Sequence, residues 1–227
     1  TWGNHRAIVE MAEKIVKREG FGEVLADGVS AAAKKIGKSA EQYAVHVGGQ
    51  EPGMHDPKAS FFGERMTMAM YHMDATPGRH TTGFGPSQFI EFASSAAGLC
   101  MHGSLAGNPD YFVTGFLKAV TGWDRTAEEI RECGERIAVL RHVFCLRESD
   151  NPLKRFVHPR VPGIPPHSEG PLAGVTRDYM EQAYWNLGAL DWDRFSTKPS
   201  KERLQALGLE DVMEDLYPEE KQGTTLG

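Results

Sequence analysis

Five apolar residues, Ile130, Cys133, Ile137, Leu140 and Phe144, follow one another at spacings of 3, 4, 3 and 4. Only a helix brings such residues back to one face, and a stripe this long must be covered by other elements. The same periodicity predicts a helix on Ile8, Met11 and Ile15 after Asn4, with Gly20 as its left-handed stop. A second helix follows on Leu25, Val29, Ala32 and Ile36, stopped by Gly37, so that the two form a hairpin. Further stripes fall on the Met-rich residues 66–73, on Phe89, Phe92, Ala96 and Leu99, and on Phe112, Phe116 and Val120 before Gly122. Residues 179–190 and 201–207 read as two more helices, the latter short and the last before Gly208. Residues 43–47 are β-prone and run into Gly48 and Gly49, giving one short strand or extended segment. The expected fold is all-α, a multi-helix array with at most one short strand. Residues 151–174 hold six prolines and are expected to form an ordered surface loop, and the polar tail from Lys221 to fray.

The charge balance narrows the partners. With 25 basic against 31 acidic residues the chain carries a formal charge of -6 and no Lys/Arg-rich tract, so a nucleic-acid backbone has no footprint to bind. No apolar run approaches the roughly 20 residues of a membrane span, and a cytoplasmic location is expected. Three cysteines, Cys100, Cys133 and Cys145, include no C-x-x-C pair, so neither a disulfide framework nor a self-contained zinc site is encoded. The chain starts at Thr1 and runs straight into a helical pattern, which is the expectation for a piece of a longer polypeptide.

Spacing alone leaves the chemistry open. His80 lies in Thr76-Pro77-Gly78-Arg79-His80-Thr81, a loop shaped by proline and glycine. An imidazole there is either an acid–base group or a surface histidine. No two histidines have the spacing that would place two ligands on one helix face. Cys100 ends Gly98-Leu99-Cys100, where glycine admits a close backbone approach. Its thiol is either a soft-metal ligand or a small buried hydrophobe. Cys133 lies on the long stripe and Cys145 beside Phe144, and both read as core.

Several short motifs then accumulate in one order. They are Arg18-Glu19-Gly20-Phe21-Gly22 with Leu25-Ala26-Asp27-Gly28-Val29, and His46-Val47 running to His55-Asp56-Pro57. After them come Ala97-Gly98-Leu99-Cys100, Thr121-Gly122-Trp123-Asp124, Gly134-Glu135-Arg136-Ile137, Phe144 with Arg147-Glu148, Tyr184-Trp185-Asn186-Leu187-Gly188, and Leu207-Gly208-Leu209. Over essentially all of residues 1–217 the chain resembles the C-terminal part of the aldehyde ferredoxin oxidoreductase family, the tungstopterin iron–sulfur enzymes of anaerobes. The resemblance implies that residues 1–56 end a middle helical domain and that residues 57–227 form a C-terminal helical domain.

In that family two pterins hold tungsten, or molybdenum in its place, and a nearby [4Fe-4S] cluster passes electrons to ferredoxin. Three cluster cysteines come from a C-x-x-C-x-x-x-C run, and the fourth closes a D-x-x-G-L-C motif whose acidic residue helps bind pterin. Here that motif reads Ser95-Ala96-Ala97-Gly98-Leu99-Cys100. By resemblance, then, Cys100 is the fourth cluster ligand and metal-binding residue, Gly98 and Leu99 form a pterin-side turn, and Ser95 offers a hydroxyl where the family has a carboxylate. The loop that supplies an active-site histidine matches residues 76–81 and makes His80 the catalytic candidate. The stretch from His80 to Cys100 is shorter than in the family and Arg79 replaces an acidic neighbour, which leaves His72 as the alternate.

The β-rich N-terminal pterin domain and the C-x-x-C-x-x-x-C run are not in these 227 residues. The implied function is the distal portion of an enzyme that oxidises aldehydes to carboxylic acids with ferredoxin, or another electron-transfer protein, as acceptor. That portion is inactive until completed by the N-terminal part or a partner chain. The alternatives are a family branch that reduces an aromatic acyl-thioester, and a non-catalytic helical scaffold.

Overall fold

A computed structural model describes residues 3–53, 56–59, 71–78, 85–104 and 109–218. Helix dominates, and among the described residues β structure is confined to isolated bridges such as Val47 with Gln50 and with Val157. No helix described is long and apolar enough to cross a membrane. The chain divides into two compact units. One is drawn from Thr1–His72, Thr76–His80 and Arg155–Tyr179, the other from Met73–Ala75, Thr81–Lys154 and Met180–Gly227.

In the first unit, α1 (His5–Lys17) starts where the Asn4 side chain accepts the Ala7 N–H at 3.2 Å. It stops earlier than the glycine pattern implies. Arg18 takes the left-handed conformation (φ 54°, ψ 44°), while Gly20 precedes α2 (Phe21–Leu25). A left-handed arginine costs roughly 1–2 kcal/mol. The cost is offset because the bend aims the guanidinium at Asp27 (2.5 Å) and Glu23 (3.3 Å). The expected second helix is likewise split into α2 and α3 (Gly28–Ile36). Gly22 lets α1 and α2 cross closely, since a Cβ there would be driven into the Lys14 backbone.

Beyond α3, residues 40–43 form a 3-10 turn, and of the β-prone residues 43–47 only Val47 enters a β-bridge. Val47 then pairs with Gln50 across Gly48 and Gly49, both at positive φ (56° and 91°), the pattern of a type I′ hairpin turn. Val47, Tyr71 and Val161 make the unit's core cluster, with Val45, Val157 and Tyr179 against it. Tyr71–Met73 end in helix, and the rest of the expected Met-rich helix lies outside the described residues. The proline-rich stretch 151–174 is ordered, as expected, by turns such as Ile164 N–H to the Pro159 carbonyl.

The second unit is helix on helix. It comprises α4 (Phe89–Ala96), α5 (Met101–Ser104), α6 (Pro109–Thr121), α7 (Ala127–Arg147), α8 (Tyr179–Ala189), α9 (Lys201–Ala206) and α10 (Glu210–Leu216). Helix α7 opens with a capping box between Thr126 and Glu129. Its buried face is rotated from the one the stripe implies. Ile130, Gly134, Glu135, Val139, His142, Val143 and Cys145 are buried, whereas Cys133, Leu140 (42% exposed) and Phe144 (62% exposed) face outward.

Two features turn the helix this way. Gly134 allows α4 to approach backbone to backbone, because a Cβ there would be driven into the Phe89 carbonyl. The polar residues on the inward face find partners: Glu135 takes a two-pronged contact from Arg203, and His142 Nε2 lies 2.9 Å from the Thr197 carbonyl. Ile90, Ala93, Val113 and Ile130 form the core between α4, α6 and α7, with Leu99 packed against them. Helix α10, absent from the periodicity reading, adds buried Leu216.

Candidate functional site

The turn that carries Cys100 is built by the way α4 ends. Ala97 caps the helix, Gly98 follows at φ 76°, the Gly98 N–H reaches the Ser95 carbonyl at 3.1 Å, and the Leu99 N–H reaches the Ser94 carbonyl at 2.9 Å. This is a Schellman motif, and its characteristic apolar contact is supplied by Leu99 on the core. The buried Ser94 hydroxyl donates to the Ile90 carbonyl at 2.8 Å and anchors the last turn. A Cβ at Gly98 would meet nothing within 4 Å, so the glycine answers to the left-handed φ and leaves an open face beside the backbone.

That geometry points Leu99 inward and places Ser95 and Cys100 on the surface. Cys100 also accepts, through its carbonyl, the Gly103 N–H at 2.9 Å as α5 begins. The turn fits one thiolate of a cluster beside an open, backbone-lined face. Among the described residues no group of three or more His, Cys, Asp or Glu side chains converges to hold a metal.

Next to the turn a groove of about 500 Å³ opens over Ala96, Ala97, Leu117 and Ile130, rimmed by Trp123 and the thiol of Cys133. Its charges are internally matched, Arg125 to Glu129 at 2.9 Å and Arg136 to Glu132 at 3.4 Å. Behind α4, Asp74, only 2% exposed, pairs with Arg141 at 3.0 Å, and the guanidinium lies 5.0 Å from the centre of the Phe92 ring. The Cys145 thiol donates to the Ala75 carbonyl at 3.5 Å. Pairings across 67 and 70 residues of sequence leave no local signal.

His80 lies outside the described residues. Its alternate, His72, is 1% exposed and stands edge-on to Tyr179 at 5.0 Å between ring centres, the setting of a core histidine. Gly78, two residues before His80, is described. Its N–H donates to the Tyr71 carbonyl at 3.1 Å, its carbonyl accepts the Gly53 N–H at 2.8 Å, and a Cβ on it would sit 2.5 Å from the Glu51 carbonyl. The turn ahead of the candidate histidine is therefore held from below by residues 51–53.

Known proteins resemble the chain over most of its length. The family model described as aldehyde ferredoxin oxidoreductase, domains 2 and 3, matches residues 1–209. A tungsten-containing aldehyde ferredoxin oxidoreductase of Pyrococcus horikoshii is 29% identical over 93% of this chain and 38% of its own length. The enzyme of the same name from Pyrococcus furiosus is 27% identical over 92% of the chain and 37% of its own length. An aliphatic sulfonate oxidoreductase, WOR-like subunit, of P. furiosus is 27% identical over 92% and 35%. The chain thus spans little more than a third of the length of the curated relatives it matches.

Proposed function

Because the chain belongs to the aldehyde ferredoxin oxidoreductase family, we propose that it is the distal, helical portion of a tungsten- or molybdenum-pterin, iron–sulfur oxidoreductase that converts aldehydes to carboxylic acids. Electrons leave to ferredoxin or another electron-transfer protein. The observation that carries this reading is the exposed thiol of Cys100 behind the Gly98 turn, inside the matched residues.

In this reading Cys100 gives its thiolate to a [4Fe-4S] cluster whose other three cysteines lie in an N-terminal portion or a partner chain. The open backbone at Gly98 and Leu99 and the Ser95 hydroxyl face a pterin. Serine there accepts or donates a hydrogen bond but adds no charge, so this contact is weaker than a carboxylate would make. When bound, the metal–pterin supplies the oxygen-transfer and redox chemistry and the cluster supplies one-electron exit. His80 orients the substrate carbonyl and holds or releases a proton at a ring nitrogen. Residues 1–56 close a middle domain, residues 57–227 form the C-terminal one, and the enzyme works in the cytoplasm. By itself the chain is inactive.

Identity to the WOR-like sulfonate subunit, nearly equal to that with the aldehyde enzymes, favours testing a second substrate class, an aliphatic sulfonate. Arg79 and Ser95, which depart from the family pattern, favour an aromatic acyl-thioester as a third. The test is dye-linked turnover of all three classes by the anaerobically isolated native polypeptide containing this chain. Cys100→Ser is expected to lose the cluster's electron paramagnetic resonance signal, and His80→Ala to lose turnover with metals retained. A Cys100→Ser protein with unchanged signal and iron contradicts the reading, as does aldehyde oxidation by these 227 residues alone.

A further inference from the structure

Helix α1 is apolar over more of its circumference than one neighbour can cover. At about 100° per residue its apolar side chains span roughly 200°, about twice the stripe that a one-sided surface helix needs. One part of that arc is met within the first unit. Gly22 of α2 seats against the backbone of Lys14 and Ile15, and Met11 and Ile15 beside it are half-buried. The other part is bare. Ile8 is 64% exposed, Val9 58% and Val16 84%, Ala12 is exposed between them, and no residue of α1 is buried. An open groove of about 750 Å³ runs along Ala7, Ile8, Met11, Ala12 and Ile15.

The bare residues repeat as a packing seam. His5, Val9, Ala12 and Val16 follow at spacings of 4, 3 and 4, the interval at which one helix lays its side chains into the grooves of another at about 20°. Val9 and Val16 flank the small Ala12, which leaves room for one large apolar side chain from an opposing helix. Beside them Glu13 pairs with Lys17 at 3.8 Å. That pair has no net charge with which to steer a free protein partner.

A second copy of the chain fits this seam poorly. With 13 residues, α1 offers a surface about 20 Å long and about 10 Å wide, against the roughly 800 Å² per partner of a stable association between free chains. A segment of the same polypeptide faces no such threshold, because its tether sets an effective concentration on the order of millimolar. The curated relatives have the length to supply one. The chain covers 38% and 37% of two of them, and the family model it matches is described as domains 2 and 3.

We infer that the outward face of α1 is a helix-docking seam, filled by an amphipathic helix from the part of the same polypeptide that lies outside these 227 residues. Burial of Val9, Ala12 and Val16 there completes the apolar arc and ties the first unit to that part. The inference rests on the reading of the chain as one portion of a longer enzyme, and not on its metals.

The experiment is cysteine scanning of the native polypeptide containing this chain. Val9→Cys, Ala12→Cys and Val16→Cys are compared with Arg6→Cys and Lys17→Cys on the polar arc. Each variant is labelled with a maleimide at several protein concentrations and read peptide by peptide by mass spectrometry. Labelling at positions 9, 12 and 16 is expected to be about tenfold slower, or more, than at 6 and 17, at every concentration, and the difference to vanish in urea. Equal rates at the two sets overturn the inference, as does protection that fades on dilution, the sign of a second copy. Should Ala12→Cys disturb the fold, positions 9 and 16 carry the comparison. A diazirine-bearing residue at position 16 then identifies the neighbour. A cross-link to a peptide of the same polypeptide outside residues 1–227 is expected, and one within these residues or to a second polypeptide overturns the inference. Elemental analysis of the same preparation keeps the two readings apart: metals without protection refute the seam alone, and protection without metals refutes the redox reading alone.

Discussion

Replacing Gly134 with alanine sets two effects of opposite sign against each other. In a helix interior the change is favourable by about 1 kcal/mol on propensity alone. In α7 the new Cβ would lie 2.5 Å from the Phe89 carbonyl carbon and 3.1 Å from its Cα, where ordinary contact begins at 3.4 Å. The obstacle is backbone, which has no rotamer to yield. Helices α4 and α7 must part by at least about 0.9 Å, the difference between 3.4 and 2.5 Å, and the carbonyl oxygen, nearer still, demands more. A gap of that size forfeits a quarter to a half of each dispersion contact across Ile90, Ala93 and Ile130. Overpacking of this kind costs about 3 kcal/mol, the upper end of its usual range. The net expectation is a loss of about 2 kcal/mol, or roughly 4–8 °C in Tm for a chain of this size. Gly188 in α8 provides the control, because a Cβ there meets nothing within 4 Å, and Gly188→Ala is expected to be neutral or slightly stabilising. Thermal melts and urea titrations followed by circular dichroism decide it. Equal stability of Gly134→Ala and Gly188→Ala would refute the close helix approach that fixes α4, and with it the placement of the Cys100 turn.

Other perturbations have equally definite outcomes. Arg203→Met strands the buried Glu135 carboxylate and is expected to destabilise by about 2–3 kcal/mol, less than for a fully enclosed pair because Arg203 is partly exposed; a double change to Glu135→Gln with Arg203→Met should recover part of the loss in the same titration. Gly98→Ala should cost about 1–2 kcal/mol although its Cβ meets no atom, since the residue sits at φ 76°, and Gly98→Asn should cost less. Hydrogen bonds from Arg18 and then Lys35 hold the Asp27 carboxyl down at about 2, so the stability it gives the α1–α3 segment is present above pH 3.8 and lost as pH falls from about 4 toward 2; salt should reduce the effect and Asp27→Asn should abolish that part of the acid profile. In the metal-stripped native polypeptide Cys100 and Cys133 should react with a maleimide before Cys145 does, and reconstitution with iron and sulfide should protect Cys100 but neither Cys133 nor Cys145; protection of Cys133 instead would move the ligand assignment.

Local rules made some of this visible in the sequence and tertiary ones hid the rest. Gly122 was legible as a helix stop because a left-handed residue after an apolar stripe has few other uses, and it has positive φ. Gly20 misled for a physical reason: Arg18 bends the chain two residues earlier because its guanidinium finds Asp27 and Glu23 there. The long stripe located α7 but not its buried face, since side-chain polarity carries no information about Gly134 against Phe89 or about Arg203 reaching Glu135 across 68 residues. The chain's outward Leu140 and Phe144, 42% and 62% exposed, are what a stripe looks like when periodicity is read without its partner. In the candidate site, the Ser95-to-Cys100 motif was recognised as a family likeness, while the groove beside it and the Asp74–Arg141 pair exist only once α4, α6 and α7 are assembled.

The central claim is that Cys100 belongs to a cluster in a metal–pterin enzyme. Its most direct measurement is elemental analysis of the native polypeptide containing this chain, isolated without oxygen, beside its Cys100→Ser variant. The account predicts about four irons and one tungsten or molybdenum per polypeptide, with iron markedly reduced in the variant. A well-folded preparation with neither metal, or a variant with its iron intact, would contradict it.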